Sequence, residues 1–187
     1  MQQVERPVLL LIDIQQGFNQ KEYWGVERNN PHAEENAANI LVHWRIQGLP
    51  VIHVKHNSSN VLSPLHRSHD GNRFQELVLP QEHEVIIEKS VNSAFIGTDL
   101  QEQLNAMQTR TIVIVGLTTD HCISTTARMA ANFGYVTFLV HDATATFGKT
   151  GVGNHMFSAD LMHQTAIASL KDEFATILST HEVLTYF

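Results

Sequence analysis

The chain has 187 residues, a single cysteine, 43% hydrophobic and 17% charged residues, and a formal net charge of −7. That size and balance fit one globular domain over 1–187. The acidic balance lacks the basic cluster that nucleic acid or an anionic membrane would require, and the apolar runs fall short of the ~20 residues of a membrane span.

In chain order, 7–12 is a continuous apolar run ending at Asp13, the pattern of a strand buried on both faces. An irregular stretch over 15–30 carries Phe18, Tyr23 and Trp24. A helix is expected next, with Asn30 as N-cap, Pro31 at its first position, Gly48 as its stop, and Ala33, Ala37, Ile40, Leu41 and Trp44 as its apolar stripe. Strand two is expected over 49–54. The segment from 57 to 84 is long and polar and contains Pro64, Gly71 and Pro80; such loops usually carry function or cover a site. Strand three, over 84–88, ends at Lys89. Thr98-Asp99-Leu100-Gln101 has the form of a capping box opening a helix whose buried face is Leu100, Leu104 and Met107.

The β-branched run 111–115 reads as strand four. Gly116 to His121 turns the chain into a helix predicted to start at Cys122. Strand five over 135–141, a helix over 157–170, strand six over 174–178 and a closing helix from Thr180 complete the alternation. Repeated βα units require right-handed crossovers and a mainly parallel sheet with helices on its faces.

Three strand ends therefore bring an acid, an ammonium and a thiol toward one carboxyl edge, where open α/β sheets bind ligands. Taken singly, each residue has a plainer reading: Asp13 as a turn cap, Lys89 as a solvated charge, Cys122 as a small buried hydrophobe. Taken together they could act on a carbonyl. A helix start and Lys89 would favour the thiolate, Asp13 would take and return the proton, and backbone N–H groups of the 116–122 turn would receive the oxyanion.

Other motifs lead nowhere. Residues 143–150 resemble a phosphate-binding loop, but Ala143 replaces the first glycine and Gly151 and Gly153 follow where a helix must start. Asp13-Ile14-Gln15-Gln16-Gly17 lacks a dinucleotide fingerprint, so no cofactor is expected. The twelve histidines include no His-x-x-x-His pair with a glutamate. His53 and His56 should point to opposite faces, while His66 and His69 could meet in their loop. No dedicated metal site is expected.

Leu11-Ile12-Asp13-Ile14-Gln15, Lys89-Ser90-Val91-Asn92-Ser93-Ala94-Phe95 and Gly116-Leu117-Thr118-Thr119-Asp120-His121-Cys122 resemble the three signature segments of the isochorismatase-like cysteine hydrolases. Gly134-Tyr135 and Asp142-Ala143-Thr144 match later landmarks of that family. The resemblance implies a doubly wound, Rossmann-like α/β fold with a six-stranded parallel sheet of order 3-2-1-4-5-6. It also implies an Asp13–Lys89–Cys122 triad and hydrolysis of C–N bonds in small amides, imides or carbamoyl compounds. A cis Leu117–Thr118 peptide is implied as well, with the N–H groups of Thr118 and Cys122 as oxyanion donors.

Metal-dependent nicotinamidases of the family carry an Asp-x-His pair after strand two. Here the stretch is Lys55-His56-Asn57-Ser58-Ser59, which sets a nicotinamidase-like activity behind a general amidohydrolase. Phe18, Trp24, Phe95 and Phe147 are candidates for an apolar pocket wall, and His56, Asn92 and His121 for its polar contacts. A redox-sensing thiol protein is the non-enzymatic alternative, although no second cysteine exists to resolve it. One cysteine and the lack of a leader-like amino end suggest a cytoplasmic setting. A small-molecule substrate and a dimer or tetramer complete the expectations.

Overall fold

The computed structural model describes residues 6–25 and 27–187. Six strands form one parallel sheet: β1 (Val8–Ile12), β2 (Val51–His56), β3 (Val85–Lys89), β4 (Thr111–Leu117), β5 (Val136–Ala145) and, after a short hairpin of β6 (Lys149–Thr150) and β7 (Met156–Phe157), β8 (Thr176–Leu178). Their order is β3-β2-β1-β4-β5-β8. With β8 as the sixth strand of the sheet, this is the doubly wound arrangement expected.

Alternation along β1 builds two cores. Val8, Leu10 and Ile12 face one side with Ile52, Ile112 and Ile114, and are covered by Leu100 and Leu104 of α3 (Leu100–Ala106), Ala127 and Ala130 of α4 (Ser124–Asn132), and Ile167 and Leu170 of α5 (Ala159–Leu170). Leu9 and Leu11 face the other side with Val51, Val113 and Val140. There they meet Ala37, Ile40, Leu41 and Trp44 of α2 (Ala33–Ile46) and Val183 of α6 (Thr180–Tyr186). A strand covered on both faces has no place for polar alternation, which is why 7–12 reads as an unbroken apolar run.

A one-turn helix, α1 (Lys21–Trp24), lies in the irregular stretch before α2. The buried residues of α2 are those of the expected stripe. Its start differs. His32 flanks the helix without a side-chain cap, and Asn30, at φ 40°, donates instead to the carbonyls of His141 and Thr144 at 2.9 and 2.7 Å. Nor is there a capping box at α3. Thr98 Oγ1 donates back to Ala94 O and accepts from Leu100 N, while Asp99 makes no cap bond.

Strand ends shift as well. β2 begins at Val51 and runs on to His56, and β5 runs on to Ala145, because its register against β4 shifts between Ile114 and Gly116. The sequence that mimics a phosphate loop is thus strand and hairpin. Phe157 lies in β7, and α5 starts after Ser158, whose side chain accepts from Leu161 N. None of the helices among the described residues is long and apolar enough to cross a membrane.

Candidate active site

Asp13 follows β1 directly, Lys89 ends β3, and Cys122 sits in a π-helical turn (Thr119–Ile123) between β4 and α4. The α-helix expected to open at Cys122 begins instead at Ser124. The two β-loops meet closely. Gly116 adopts φ +124°, and a Cβ there would lie 2.0 Å from Ile12 O, so only glycine lets β4 pass this near the end of β1. Asp13 itself is left-handed (φ 53°), with its N–H bonded to Val54 O at 2.9 Å.

These elements bring the three side chains together. Lys89 Nζ donates to Asp13 Oδ2 at 2.7 Å and to Cys122 Sγ at 3.3 Å, and lies 3.1 Å from His56 Nδ1. Both members of the Lys89–Asp13 pair are buried, their side chains 0% and 1% exposed. Asp13 Oδ1 is buried without a hydrogen-bond partner among the described residues. Burial alone would lower the Lys89 pKa, but the Asp13 carboxylate and Cys122 outweigh it and hold the ammonium charged. Burial, then the Asp13 carboxylate, push the Cys122 thiol well above its ordinary range, and Lys89 offsets this only in part. Burial thus works against the thiolate that a helix start and Lys89 favour.

A cavity of about 90 Å³ opens onto the sulfur. Phe18, Trp24 and Leu65 form its apolar side, and His56, Asn92, Thr118 and His121 its polar side, with Asp13 and Cys122 at the base. Phe18 and Trp24 stack at 4.6 Å, and the indole N–H is committed to Gly17 O. Asn92 Oδ1 lies 3.9 Å from Cys122 Sγ. The Leu117–Thr118 peptide is cis.

Two of the expected wall residues are elsewhere. Phe147 packs behind Phe18 and Trp24, at 6.4 and 6.2 Å between ring centroids, and backs the wall rather than lining it. Phe95 packs against Phe133 and Tyr135, because Ala94 N is anchored on Thr126 Oγ1 of α4 and directs the next side chain under that helix.

Several contributors carried no sequence signal. Leu65 reaches the cavity from the 57–84 segment, whose path is set where Gly71 packs against Gly17; a Cβ on Gly71 would meet Gly17 Cα at 2.8 Å. Buried Gln15 clasps His56 through both backbone groups, at 2.8 and 3.0 Å. Thr119 Oγ1 meets buried His163 Nδ1 at 2.9 Å and ties the cysteine turn to α5. At the rim, Asp120 accepts from Thr146 Oγ1 and Lys149 Nζ, and Lys149 also reaches His121 Nε2 at 2.9 Å.

A carboxylate oxygen of Asp13, a ring nitrogen of His56 and Cys122 Sγ lie within 4.8 Å of one another, a spacing compatible with a metal. The Lys89 ammonium contacts all three residues and supplies the cation in their midst. These donors fit that ammonium, not an ion alongside it. His53 takes no part. It points to the α2 face, as its spacing from His56 predicted, and bonds Glu84 at 2.8 Å. His66 and His69 do meet, their rings 6.1 Å apart, on the exposed loop.

The family model for the isochorismatase domain matches residues 7–182. The chain belongs to the isochorismatase family. It is 45% identical over 183 residues to the isochorismatase family protein YrdC of Bacillus subtilis, covering 98% of this chain and 97% of that one. It is 30% identical over 154 residues to maleamate amidohydrolase of Pseudomonas putida, covering 73% and 71% of the two chains. A solved structure of an isochorismatase-family protein from Chromobacterium violaceum superposes with a TM-score of 0.92 at 36% identity, covering 99% of this chain and 94% of that one. The family is one of hydrolases, and its named members include amide hydrolases.

Proposed function

We propose that this protein hydrolyses the C–N bond of a small amide, imide or carbamoyl compound through a thioester on Cys122. The observation that carries the reading is the Lys89 ammonium, which binds the Asp13 carboxylate and the cysteine sulfur together beneath the cavity. Asp13 takes the thiol proton as Sγ attacks the carbonyl carbon. The backbone N–H groups of Thr118 and Cys122 receive the developing oxyanion. Asp13 returns the proton to the leaving nitrogen as the C–N bond breaks. The same carboxylate then deprotonates a water, whose oxygen attacks the thioester; the sulfur departs and regains its proton.

Relatives named for amide substrates support this chemistry: maleamate amidohydrolase, and Nicotinamidase 3 of Arabidopsis thaliana, 35% identical over 43% of this chain. The nicotinamidase-like variant has less support, since no Asp-x-His follows β2. A redox-sensor role needs an exposed, low-pKa thiol, and Cys122 is 8% exposed with its pKa pushed up.

The test is ammonia release from a panel of small amides and ureido acids, and ring opening of cyclic imides. Cys122→Ala should lower turnover at least ~10³-fold with an unchanged far-UV spectrum. A variant that keeps more than about a tenth of wild-type turnover, a barrier change under ~1.4 kcal/mol, would refute the nucleophile.

A further inference from the structure

The Lys89 ammonium carries only donors. Its Nζ stands 3.1 Å from His56 Nδ1, so Nδ1 must accept. Burial, and then the Lys89 charge, lower the His56 pKa, with the Asp13 carboxylate opposing; the ring stays neutral. A neutral imidazole whose Nδ1 accepts holds its single proton on Nε2. Among the described residues Nε2 makes no hydrogen bond, and the ring lines the cavity. Gln15 fixes the backbone that carries the ring, and the Lys89 contact holds Nδ1.

The surroundings limit what this N–H can meet. Phe18, Trp24 and Leu65 offer an entering oxygen no partner, and the Trp24 N–H is already used. Asp13 Oδ1 is an acceptor and suits the leaving N–H of an amide. His121 stands at the exposed rim with Nε2 engaged by Lys149. The cavity, at about 90 Å³, is far below the ~300–1,000 Å³ of drug-sized sites, so the acyl part must be compact.

We infer that His56 presents a fixed Nε2–H to an acceptor oxygen on the acyl portion of the substrate, selecting compact amides that bear a second carbonyl or carboxylate. The ligand's identity rests on the amide-hydrolase reading; the tautomer does not.

The experiment uses Cys122→Ala protein with ¹⁵N-labelled histidine, titrated with malonamate and with isovaleramide, which replaces the carboxylate by an isopropyl group of similar shape. Before ligand, His56 should show a protonated Nε2 and an unprotonated Nδ1. Malonamate should shift Nε2 and bind at least ~10-fold tighter than isovaleramide, the range of a hydrogen bond to a charged group. His56→Asn keeps an acceptor toward Lys89 but loses the distal N–H, and should abolish that preference. His56→Gln restores a distal amide N–H and should recover part of it. A proton on Nδ1 or on both nitrogens, equal affinity for the two amides, no binding of either, or a preference retained in His56→Asn would each overturn the inference. Selective malonamate binding that the wild type does not convert to ammonia would count against the hydrolase reading alone and leave the role of His56 standing.

Discussion

Asp13 and Cys122 impose opposite demands on each other. In the proposed reaction the carboxylate is the base the thiol needs, yet its charge is a cause of the raised thiol pKa, second to burial. Asp13→Asn separates the two effects. Asparagine tolerates the left-handed backbone at φ 53°, so the loop should survive. With the negative charge gone, Lys89 still lowers the thiol pKa, and the midpoint of iodoacetamide alkylation should move to lower pH. Hydrolysis should nevertheless fall by ~10²–10⁴-fold, because no group remains to move the proton. Slower alkylation together with slower turnover would show that Asp13 promotes the thiolate in the resting site. Sequence showed the three residues because Asp13 and Lys89 each close an apolar run and Cys122 follows the turn after a third. It did not show that burial opposes the thiolate, nor Leu65, whose place depends on Gly71 meeting Gly17.

A heavily bonded junction between elements lies at the amino edge of the sheet, remote from the cysteine. Glu84, just before β3, accepts from Arg45 of α2 through both oxygens at 2.8 Å, from His53 of β2 at 2.8 Å and from Gln81 N at 2.9 Å. Burial opposes its ionisation, but the Arg45, Gln81 and His53 bonds outweigh that and bring its pKa down to about 2. A carboxylate with a depressed folded pKa stabilises the fold fully above its unfolded value, and that stability is lost as pH falls toward the folded one. Glu84→Gln should therefore lower stability at pH 7 by about 2–3 kcal/mol, below the full cost of splitting a buried pair because Arg45 keeps contact with water. The gap from wild type should close as pH falls from 4.5 to about 2, and activity per folded molecule should not change. Urea midpoints at pH 7 and pH 3 measure it; a gap independent of pH would assign the loss to packing. The elements themselves were legible from their apolar runs. Their ends were not, because Asn30 spends its side-chain N–H groups on the carbonyls of His141 and Thr144, and the Thr98 hydroxyl donates back to Ala94 O and meets α3 only at Leu100 N.

Across the whole molecule, the strand order sets β1 between β2 and β4, and Lys89 reaches Asp13 from β3, two strands away. The sequence carried this topology because unbroken apolar strands separated by helical stripes leave few ways to cover both faces of a sheet. The topology places a buried ion pair at the carboxyl edge, a poor source of stability, since desolvating two charges costs about what their attraction returns. If the pair is kept for chemistry, removing one charge and removing both should have different consequences. Lys89→Met leaves the Asp13 carboxylate buried without its cation and should destabilise the protein by ~3–5 kcal/mol. Asp13→Asn/Lys89→Met leaves no buried charge, and its stability should return to within ~1 kcal/mol of wild type or exceed it, although the protein is inactive. Chemical denaturation of the four proteins in a double-mutant cycle gives the coupling directly. A double variant as unstable as Lys89→Met would mean that the pair holds the carboxyl edge together, making Asp13 and Lys89 structural before they are chemical.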